Sequence, residues 1–256
     1  MRYGANYRPP LLSLSGHFPP GVKWLLISNI ALFVIYFLAV RAGWGEPFTA
    51  LGLVPRQVLQ IWGAYQLVTY MFLHSPWGFG HILFNMFALW MFGADLERTW
   101  GTRRFLRYYF LCGIGAGVCV VAGNLLYGTP ETRTIGSSGA IYGVLLAFGL
   151  LFPDTVVLFS FLFPIKAKYF VMIIGAIAFL SSLGAGGSGV SHVAHLGGMI
   201  FGYFYLKSRF LRGRAAPTGL VAALRRQWED YRLQRAKRRF EVYLRKREGD
   251  RDRWVH

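Results

Sequence analysis

TIGSSGAIYG, residues 134–143, opens a short apolar stretch with a serine pair flanked by glycines. The apolar residues run from Ser138 to Phe152 and end at Pro153-Asp154, which cannot continue a buried helix. These fifteen residues span roughly 22 Å as a helix, whereas the hydrocarbon core of a bilayer is about 30 Å thick. If Pro153 lies at one membrane surface, Ser138 lies below the other, where non-helical backbone is tolerated only around a cavity or inside protein. The sequence therefore predicts a serine on the floor of a cavity within the membrane.

The composition is that of a polytopic membrane protein. Of 256 residues, 54% are hydrophobic and 15% are charged, and several long runs carry no charge. The net charge of +17 does not indicate nucleic-acid binding, because the basic residues are concentrated at the chain ends and in loops on one side. Residues 207–253 alone hold sixteen Lys and Arg against six Asp and Glu. We therefore expect the lipid bilayer, and no nucleic acid, as a partner.

Six apolar runs define the predicted fold class, an all-α polytopic membrane protein with six transmembrane helices bundled around a short central fourth helix. The runs cover residues 22–40, 80–96, 108–126, 138–152, 169–183 and 192–206. Six spans put both termini on one side, and the basic segments 1–21, 98–107, 166–168 and 207–256 all fall on that side. The positive-inside rule then places both termini in the cytoplasm and the serine cavity on the outer side. A multi-pass protein of a bacterial inner membrane is expected.

Three segments follow from this pattern. Residues 1–21 are predicted to be a polar cytoplasmic tail, residues 22–206 the six-helix membrane domain, and residues 207–256 a basic cytoplasmic tail. The basic tail repeats apolar residues at helical spacing among arginines, namely Leu220, Leu224, Trp228 and Tyr231. This spacing fits an amphipathic helix on anionic lipid, and it fits equally a solvated charged helix or a disordered tail.

Four polar side chains are predicted to lie at the same outer depth of the membrane: Ser138, His195, His81 and Asn85. Ionisable residues within a membrane are costly and usually face a cavity or the bundle interior. An imidazole can take the proton of a serine hydroxyl, and free N–H groups at a helix N-terminus can hold an oxyanion. Because no acidic residue lies at this depth, the sequence offers a Ser–His dyad. Taken singly, the serine also suits a structural helix residue, and His81 with Asn85 a structural pair.

Glycine spacing favours His195 as the base. His195 shares its helix face with two glycines, and the fourth run carries a matching pair; the four are Gly198, Gly202, Gly139 and Gly143. Two small-residue faces let helix backbones approach closely, which would place His195 beside Ser138. His192, one turn nearer the surface, is the alternative base.

Histidines at one level are also compatible with a metal site. No H-E-x-x-H motif and no suitably placed carboxylate or thiolate accompanies them in the sequence. We therefore predict no metal ligand among these residues.

Three motifs together resemble the rhomboid intramembrane serine proteases. They are HILFN at residues 81–85, GSSGAIYG at residues 136–143 and AHLGG at residues 194–198. The resemblance covers roughly residues 22–206, and it includes MFLH at residues 71–74 and GADLE at residues 93–97. It implies a rhomboid-like bundle of six helices.

The resemblance implies a serine endopeptidase that needs no cofactor and cleaves transmembrane segments of other membrane proteins. It assigns Ser138 as the nucleophile and His195 as the general base. His81, Asn85 and the Ser138 backbone N–H would hold the oxyanion, with Ser137 on the substrate-binding side. The supporting positions are Tyr142, which would pack against the catalytic imidazole, together with His74, Gly136, Gly139 and Gly198.

Two other functions are alternatives to this prediction. The sequence also departs from the family pattern in one segment. A catalytically silent relative that only binds membrane helices would usually lack the serine or the histidine, and both are present. A small transporter or channel would need a polar path to the inner side, but the inner halves of the runs are apolar. Many bacterial relatives carry Trp-Arg where this chain reads Ala64-Tyr65-Gln66, so the resemblance does not extend to how the long connection before the second run is anchored.

Overall fold

The computed structural model describes residues 18–126, 129–159, 163–183 and 192–214, together with residues 228, 230–235 and 238. The chain divides into two compact units, Met1–Lys207 and Ser208–His256. The predicted tail 1–21 lies outside the described residues except for its last four. The segment around residues 220–231, whose spacing fits an amphipathic helix on lipid and equally a solvated or disordered tail, also lies largely outside them, and the described residues of that tail are helical.

Three helical segments within the described ranges are long and apolar enough to cross a membrane. They are α1 (Pro20–Arg41), the segment Phe79–Trp100 and the helix Thr102–Leu126. Between the first two, the connection forms short turns of helix, namely α2 (Glu46–Thr49), α3 (Pro55–Val58), a 3₁₀ turn (Ile61–Gly63) and α4 (Gln66–Thr69). The segment Phe79–Trp100 consists of α5 (Phe79–Ala88), a π-helical turn (Leu89–Gly93) and α6 (Ala94–Trp100). The protein is thus a multi-pass helical membrane protein.

The remaining helices are α7 (Thr102–Leu126), α8 (Ser138–Leu151), α9 (Ala167–Leu183) and α10 (His192–Arg214). The 14 residues of α8 and the 17 residues of α9 reach roughly 21 and 26 Å, less than the thickness of about 30 Å of a hydrocarbon core. The last eight residues of α10 carry four basic residues. The count of six transmembrane helices therefore stays a prediction.

The basic segment 98–107 lies between the second and third predicted runs, which implies a loop, but the structure shows helix on both sides of one residue. Helix α6 ends at Trp100 and α7 begins at Thr102, so a single residue separates them. That residue is Gly101, whose φ of 78° lies in the left-handed region that glycine adopts without steric cost. The sharp turn needs only one glycine, which a search for long polar loops does not detect.

The all-α prediction is also wrong at one place, since the described residues 156–159 and 163–166 pair as the two strands of a β-hairpin. Val156–Phe159 (β1) pairs antiparallel with Phe163–Lys166 (β2). Pro153 ends the preceding helical path, and the run of β-branched and aromatic residues favours a strand. Asp154 pairs with Lys166 at 3.3 Å and with Lys168 at 3.1 Å, which ties the base of the hairpin together. Hydrogen bonds from Lys168 and Lys166 hold the pKa of the Asp154 carboxyl below its usual range.

Helix α8 lies in the interior of the membrane unit. Nine of its 14 residues are buried, because α8 packs against α7, α9 and the π-helical turn. Tyr108 of α7 donates a hydrogen bond from its hydroxyl to the carbonyl of Gly143 at 2.7 Å. This bond joins the middle of α8 to α7. It therefore fixes the position of Ser138, the first residue of α8, along the axis of α7.

The N-terminus of α1 is held by a buried carboxylate on α6. Glu97 is 3% exposed, and its two oxygens accept the backbone N–H groups of Gly21 at 2.8 Å and Val22 at 2.7 Å. The Thr102 hydroxyl donates a third hydrogen bond at 2.6 Å. The first N–H groups of a helix have no partner within the helix and carry its positive dipole end, so an acidic side chain satisfies and stabilises them. Glu97 therefore joins α1, α6 and α7.

Glu97→Ala is expected to lower the free energy of unfolding by about 2–3 kcal/mol, because it leaves buried N–H donors without an acceptor. Thermal unfolding in detergent would measure the change. Asp95→Ala on the same helix is the matched control, since its partly exposed pair with Arg98 contributes at most about 1 kcal/mol. Equal melting temperatures for the two variants would contradict the role given to Glu97.

Candidate functional site

Ser138 and His195 lie in direct hydrogen-bonding contact. Ser138 is the first residue of α8, and His195 lies in the first turn of α10. His195 Nε2 and Ser138 Oγ are 2.9 Å apart. With the ring proton on Nδ1, Nε2 accepts the serine hydroxyl proton, which is the arrangement of a nucleophile beside its base. Among the described residues, no side chain hydrogen-bonds to the buried Nδ1 of His195.

The aromatic ring of Tyr142 orients the imidazole of His195. The rings of Tyr142 and His195 are stacked, with centroids 4.0 Å apart and planes 4° from parallel. Tyr142 lies one turn below Ser138 on α8, so the same helix positions both the hydroxyl and the ring that supports its base. His192, the alternative base, lies with its ring centroid 6.0 Å from that of His195.

Close packing of α8 against α10 makes this contact possible. A Cβ added to Gly198 would collide with the carbonyl of Gly139, and one added to Gly143 would come within 3.1 Å of the carbonyl of Gly198. A Cβ on Gly139 would meet the carbonyl of Ala194 at 3.3 Å. The glycines therefore let the two backbones approach until side chains at their N-terminal ends touch.

His81 and Asn85 of α5 face the backbone just before the serine. A Cβ added to Gly136 would lie 2.7 Å from His81 Nε2 and 3.9 Å from Asn85 Nδ2. Gly136 also has a φ of 110°, so both the space and the backbone conformation require glycine there. Asn85 Nδ2 donates to the His81 carbonyl at 2.9 Å, which orients the amide. Two side-chain donors thus lie beside the turn that leads into Ser138.

His74 supports this group from the connection that precedes α5. It is fully buried, and its ring centroid lies 5.1 Å from that of His81. Burial, followed by the proximity of His81, lowers the pKa of His74 to about 4. His74 is therefore neutral at physiological pH, and it packs against His81 without adding a charge.

Ser137 occupies a different environment from Ser138. Its side chain is fully buried and lies beside the Tyr109 hydroxyl of α7. Its carbonyl accepts the N–H of Ile141 at 3.1 Å, which starts the hydrogen-bond ladder of α8. The Ser137 side chain is thus packed against α7, and any substrate contact would fall to its backbone.

The connection between α1 and α5 holds the serine turn in place, which no pattern in the sequence indicates. The backbones of Leu53 and Thr134 exchange hydrogen bonds of 2.9 and 2.8 Å, and the N–H of Gly136 donates to the Tyr70 carbonyl at 2.8 Å. The Tyr70 hydroxyl donates to the Gly113 carbonyl on α7 at 2.6 Å. These backbone contacts join residues far apart in sequence, so no local pattern reveals them.

Gln66 anchors the same connection. Its side chain is 1% exposed; Oε1 accepts the N–H of Val54 at 3.0 Å, and Nε2 donates to the Ala50 carbonyl at 3.2 Å and to Gln57 Oε1 at 2.7 Å. A buried amide that uses both its oxygen and its nitrogen stabilises the loop it crosses. The segment Ala64-Tyr65-Gln66 therefore anchors the connection through a glutamine.

The group of residues can perform nucleophilic chemistry on a carbonyl. A hydroxyl lies beside its base, and donors from two side chains and a helix N-terminus surround the turn where an oxyanion would form. In the described part of the chain, no group of three or more His, Cys, Asp or Glu side chains is arranged to hold a metal ion.

Comparison with known proteins adds an independent observation. A family model described as Rhomboid domain matches residues 61–211. The chain is 31% identical over 179 residues to Rhomboid protease GluP of Bacillus subtilis (strain 168), covering 68% of this chain and 32% of that protein. It is 30% identical over 217 residues to Rhomboid protein 1, mitochondrial, of Saccharomyces cerevisiae, covering 79% and 57%.

A human protein extends this range of organisms. Presenilin-associated rhomboid-like protein, mitochondrial, of Homo sapiens is 29% identical over 128 residues, covering 49% of this chain and 33% of that protein. The chain therefore spans between about a third and just over half of the length of these three relatives. They include a bacterial and two mitochondrial proteins, and one carries the name of a protease.

Proposed function

This chain belongs to the rhomboid family, and on that premise we propose that it is an intramembrane serine endopeptidase that cleaves transmembrane segments of other membrane proteins. The observation that carries the proposal is the distance of 2.9 Å between Ser138 Oγ and His195 Nε2. The relative named as a protease, Rhomboid protease GluP, supports the same activity. Neither a cofactor nor a metal ion takes part in the proposed reaction.

In the acylation step, Ser138 Oγ attacks the carbonyl carbon of the scissile peptide bond while its proton passes to His195 Nε2. The carbonyl oxygen becomes an oxyanion. His195 then gives the proton to the amide nitrogen, so the C–N bond breaks and the first product leaves as an amine. In the second step, water attacks the acyl-enzyme, its proton passes through His195 to Ser138 Oγ, and the second product leaves as a carboxylic acid.

Three donors are proposed to stabilise the oxyanion: the His81 ring, the Asn85 amide and the Ser138 backbone N–H. Two of them are fixed before substrate arrives, since the Asn85 amide is bonded to the His81 carbonyl and the Ser138 N–H belongs to the start of α8. Fixed donors stabilise developing charge without a cost of reorientation. Membership of the family implies a preference for substrates with glycine or alanine near the scissile bond, and glycine there would weaken the substrate helix.

Asn85→Ala is expected to lower kcat by about 10²–10³-fold, the usual cost of losing one oxyanion donor. The measurement is the initial rate of substrate cleavage per folded enzyme. Asn29→Ala is the matched control, because Asn29 is also buried and also donates to a carbonyl four residues earlier, Leu25 at 2.7 Å, but it lies on α1. Equal rates for the two variants would exclude Asn85 from the oxyanion site.

The proposed topology places both termini on the cytoplasmic side of a bacterial inner membrane, with the site opening to the outer side. The support is the distribution of basic residues, which gather in the segments assigned to one side. We also propose that the basic tail contacts anionic lipid, as its arginines suggest.

Reconstitution with a single-span substrate in liposomes tests the proposed function. We expect two product fragments whose masses place the cut within or next to the substrate's transmembrane segment. A substrate that co-purifies with the protein and stays intact would favour a catalytically silent protein that binds membrane helices. Solute flux through the liposomes without cleavage would favour a transporter or channel.

A further inference from the structure

An open apolar groove runs along α7, and none of the residues that line it belongs to the serine site. Its volume is about 720 Å³, within the range of about 300–1,000 Å³ that is usual for small-molecule sites. Residues of α7 form most of its lining, and Phe201 of α10 closes one side. A Cβ added to Gly115 would collide with the Phe201 ring, so this glycine lets Phe201 pack directly against α7. The groove is thus a product of how α7 and α10 meet.

Two arginines lie at one end of the groove. Arg103 and Arg107 are one helical turn apart, and both are exposed. Within the described ranges, neither of them takes part in an ion pair. The adjacent Arg104 differs, because its guanidinium lies 4.8 Å from the centroid of the Trp100 ring. The groove therefore begins at two positive charges that are available to a ligand.

The rest of the groove is lined by apolar side chains. Its α7 side follows one stripe of the helix, with Leu106, Phe110, Leu111, Ile114 and Val118 along it. From Arg107 to Val118 the helix rises roughly 16 Å, about half of the 30 Å of a hydrocarbon core. A ligand that suits the groove has a negative headgroup followed by an apolar chain about as long as one leaflet is thick.

We propose that the groove binds one anionic phospholipid, with its phosphate on Arg103 and Arg107 and an acyl chain along Ile114 and Phe201. Guanidinium groups form paired, charge-assisted hydrogen bonds with phosphate oxygens, which favours arginine at such a site. The basic end of α7 lies on the side assigned to the cytoplasm, where the leaflet facing it carries anionic lipid. Binding at this groove does not depend on the proposed peptidase activity.

Native mass spectrometry of the full-length protein in detergent tests the proposal. The protein is titrated with phosphatidylglycerol or with phosphatidylcholine of the same acyl chains. We expect one phosphatidylglycerol to be retained per chain, with an apparent affinity at least about tenfold above that of phosphatidylcholine. Arg103→Gln/Arg107→Gln should remove the preference. Lys166→Gln/Lys168→Gln removes the same charge at the end of β2 and the start of α9, outside the groove, and should keep the preference.

A second variant tests the apolar part of the site. Ile114→Trp fills the groove without changing the charge, and we expect it to weaken phosphatidylglycerol binding while the melting temperature shows that the protein stays folded. The proposal is overturned if the parent retains both lipids equally. It is also overturned if the double arginine variant keeps the preference, or if Ile114→Trp binds phosphatidylglycerol as well as the parent does.

Discussion

Ser138→Ala is expected to abolish cleavage of a single-span substrate, with a fall in rate of about 10⁴-fold or more. The reason is chemical, since the variant keeps His195, Asn85 and the helix N-terminus but has no hydroxyl to attack the carbonyl carbon. Loss of the nucleophile removes the acyl-enzyme route altogether, and only stabilisation of a direct attack by water remains. The measurement is product formed per folded enzyme in liposomes.

Ser28→Ala is the matched control for this prediction. Among the described residues, the Ser28 hydroxyl donates to the Leu25 carbonyl of its own helix alone, at 3.1 Å, so its loss should leave the rate near that of the parent. Cleavage by Ser138→Ala at the rate of the parent would mean that another group is the nucleophile, and the proposed mechanism would then be wrong.

His195→Ala is expected to lower the rate by about 10⁴-fold, because a serine hydroxyl without a base is a poor nucleophile at neutral pH. The stacked ring of Tyr142 cannot replace the imidazole, since it has no group to accept the proton at that position. The Ser138 hydroxyl would keep its place at the start of α8, so the fold should be retained. Melting temperatures of the parent and the variant check this point.

His192→Ala distinguishes the two candidate bases. It removes the same side chain from the same helix, one turn earlier, at a ring distance of 6.0 Å from His195. We expect His192→Ala to retain most of the activity. A large loss in His192→Ala with little loss in His195→Ala would instead assign the base to His192.

Part of the candidate site can be predicted from the sequence because the membrane restricts where polar groups lie. A serine that opens a short helix and a histidine that opens another must both be buried near the same surface. Glycine pairs on each helix then indicate that their backbones meet, as Gly139 and Gly198 do. The proximity of Ser138 and His195 follows from these three features.

Other parts of the molecule could not be predicted, because they depend on contacts between distant segments. In the sequence, Glu97 stands at one end of an apolar run. Its carboxylate accepts hydrogen bonds from the first N–H groups of α1, more than seventy residues earlier in the chain. The Leu53–Thr134 bridge uses backbone groups, which leave no mark on side-chain patterns. In the sequence, Gln66 is simply a polar residue in a connection. Its three hydrogen-bond partners show that its side chain is buried and holds the connection together.

The hairpin and the α6–α7 turn could not be predicted from the sequence for a different reason. Apolar periodicity separates long helices from loops, but it does not separate a short strand from a short helical run. The run Val156–Phe159 therefore carried too little signal for a strand. Gly101 is the single residue that turns the chain between α6 and α7. Apolar periodicity is recognised over several helical turns, so it does not detect a connection of one residue.

Labelling with a fluorophosphonate probe tests the central claim, that His195 activates the Ser138 hydroxyl, most directly. The probe reacts with a serine hydroxyl only when a neighbouring base activates it, and it requires no knowledge of the substrate. Detergent-purified parent protein should take up the label, whereas Ser138→Ala and His195→Ala should take up none. Labelling that persists in Ser138→Ala, or a folded parent that takes up no label, would contradict the activation of Ser138 by His195.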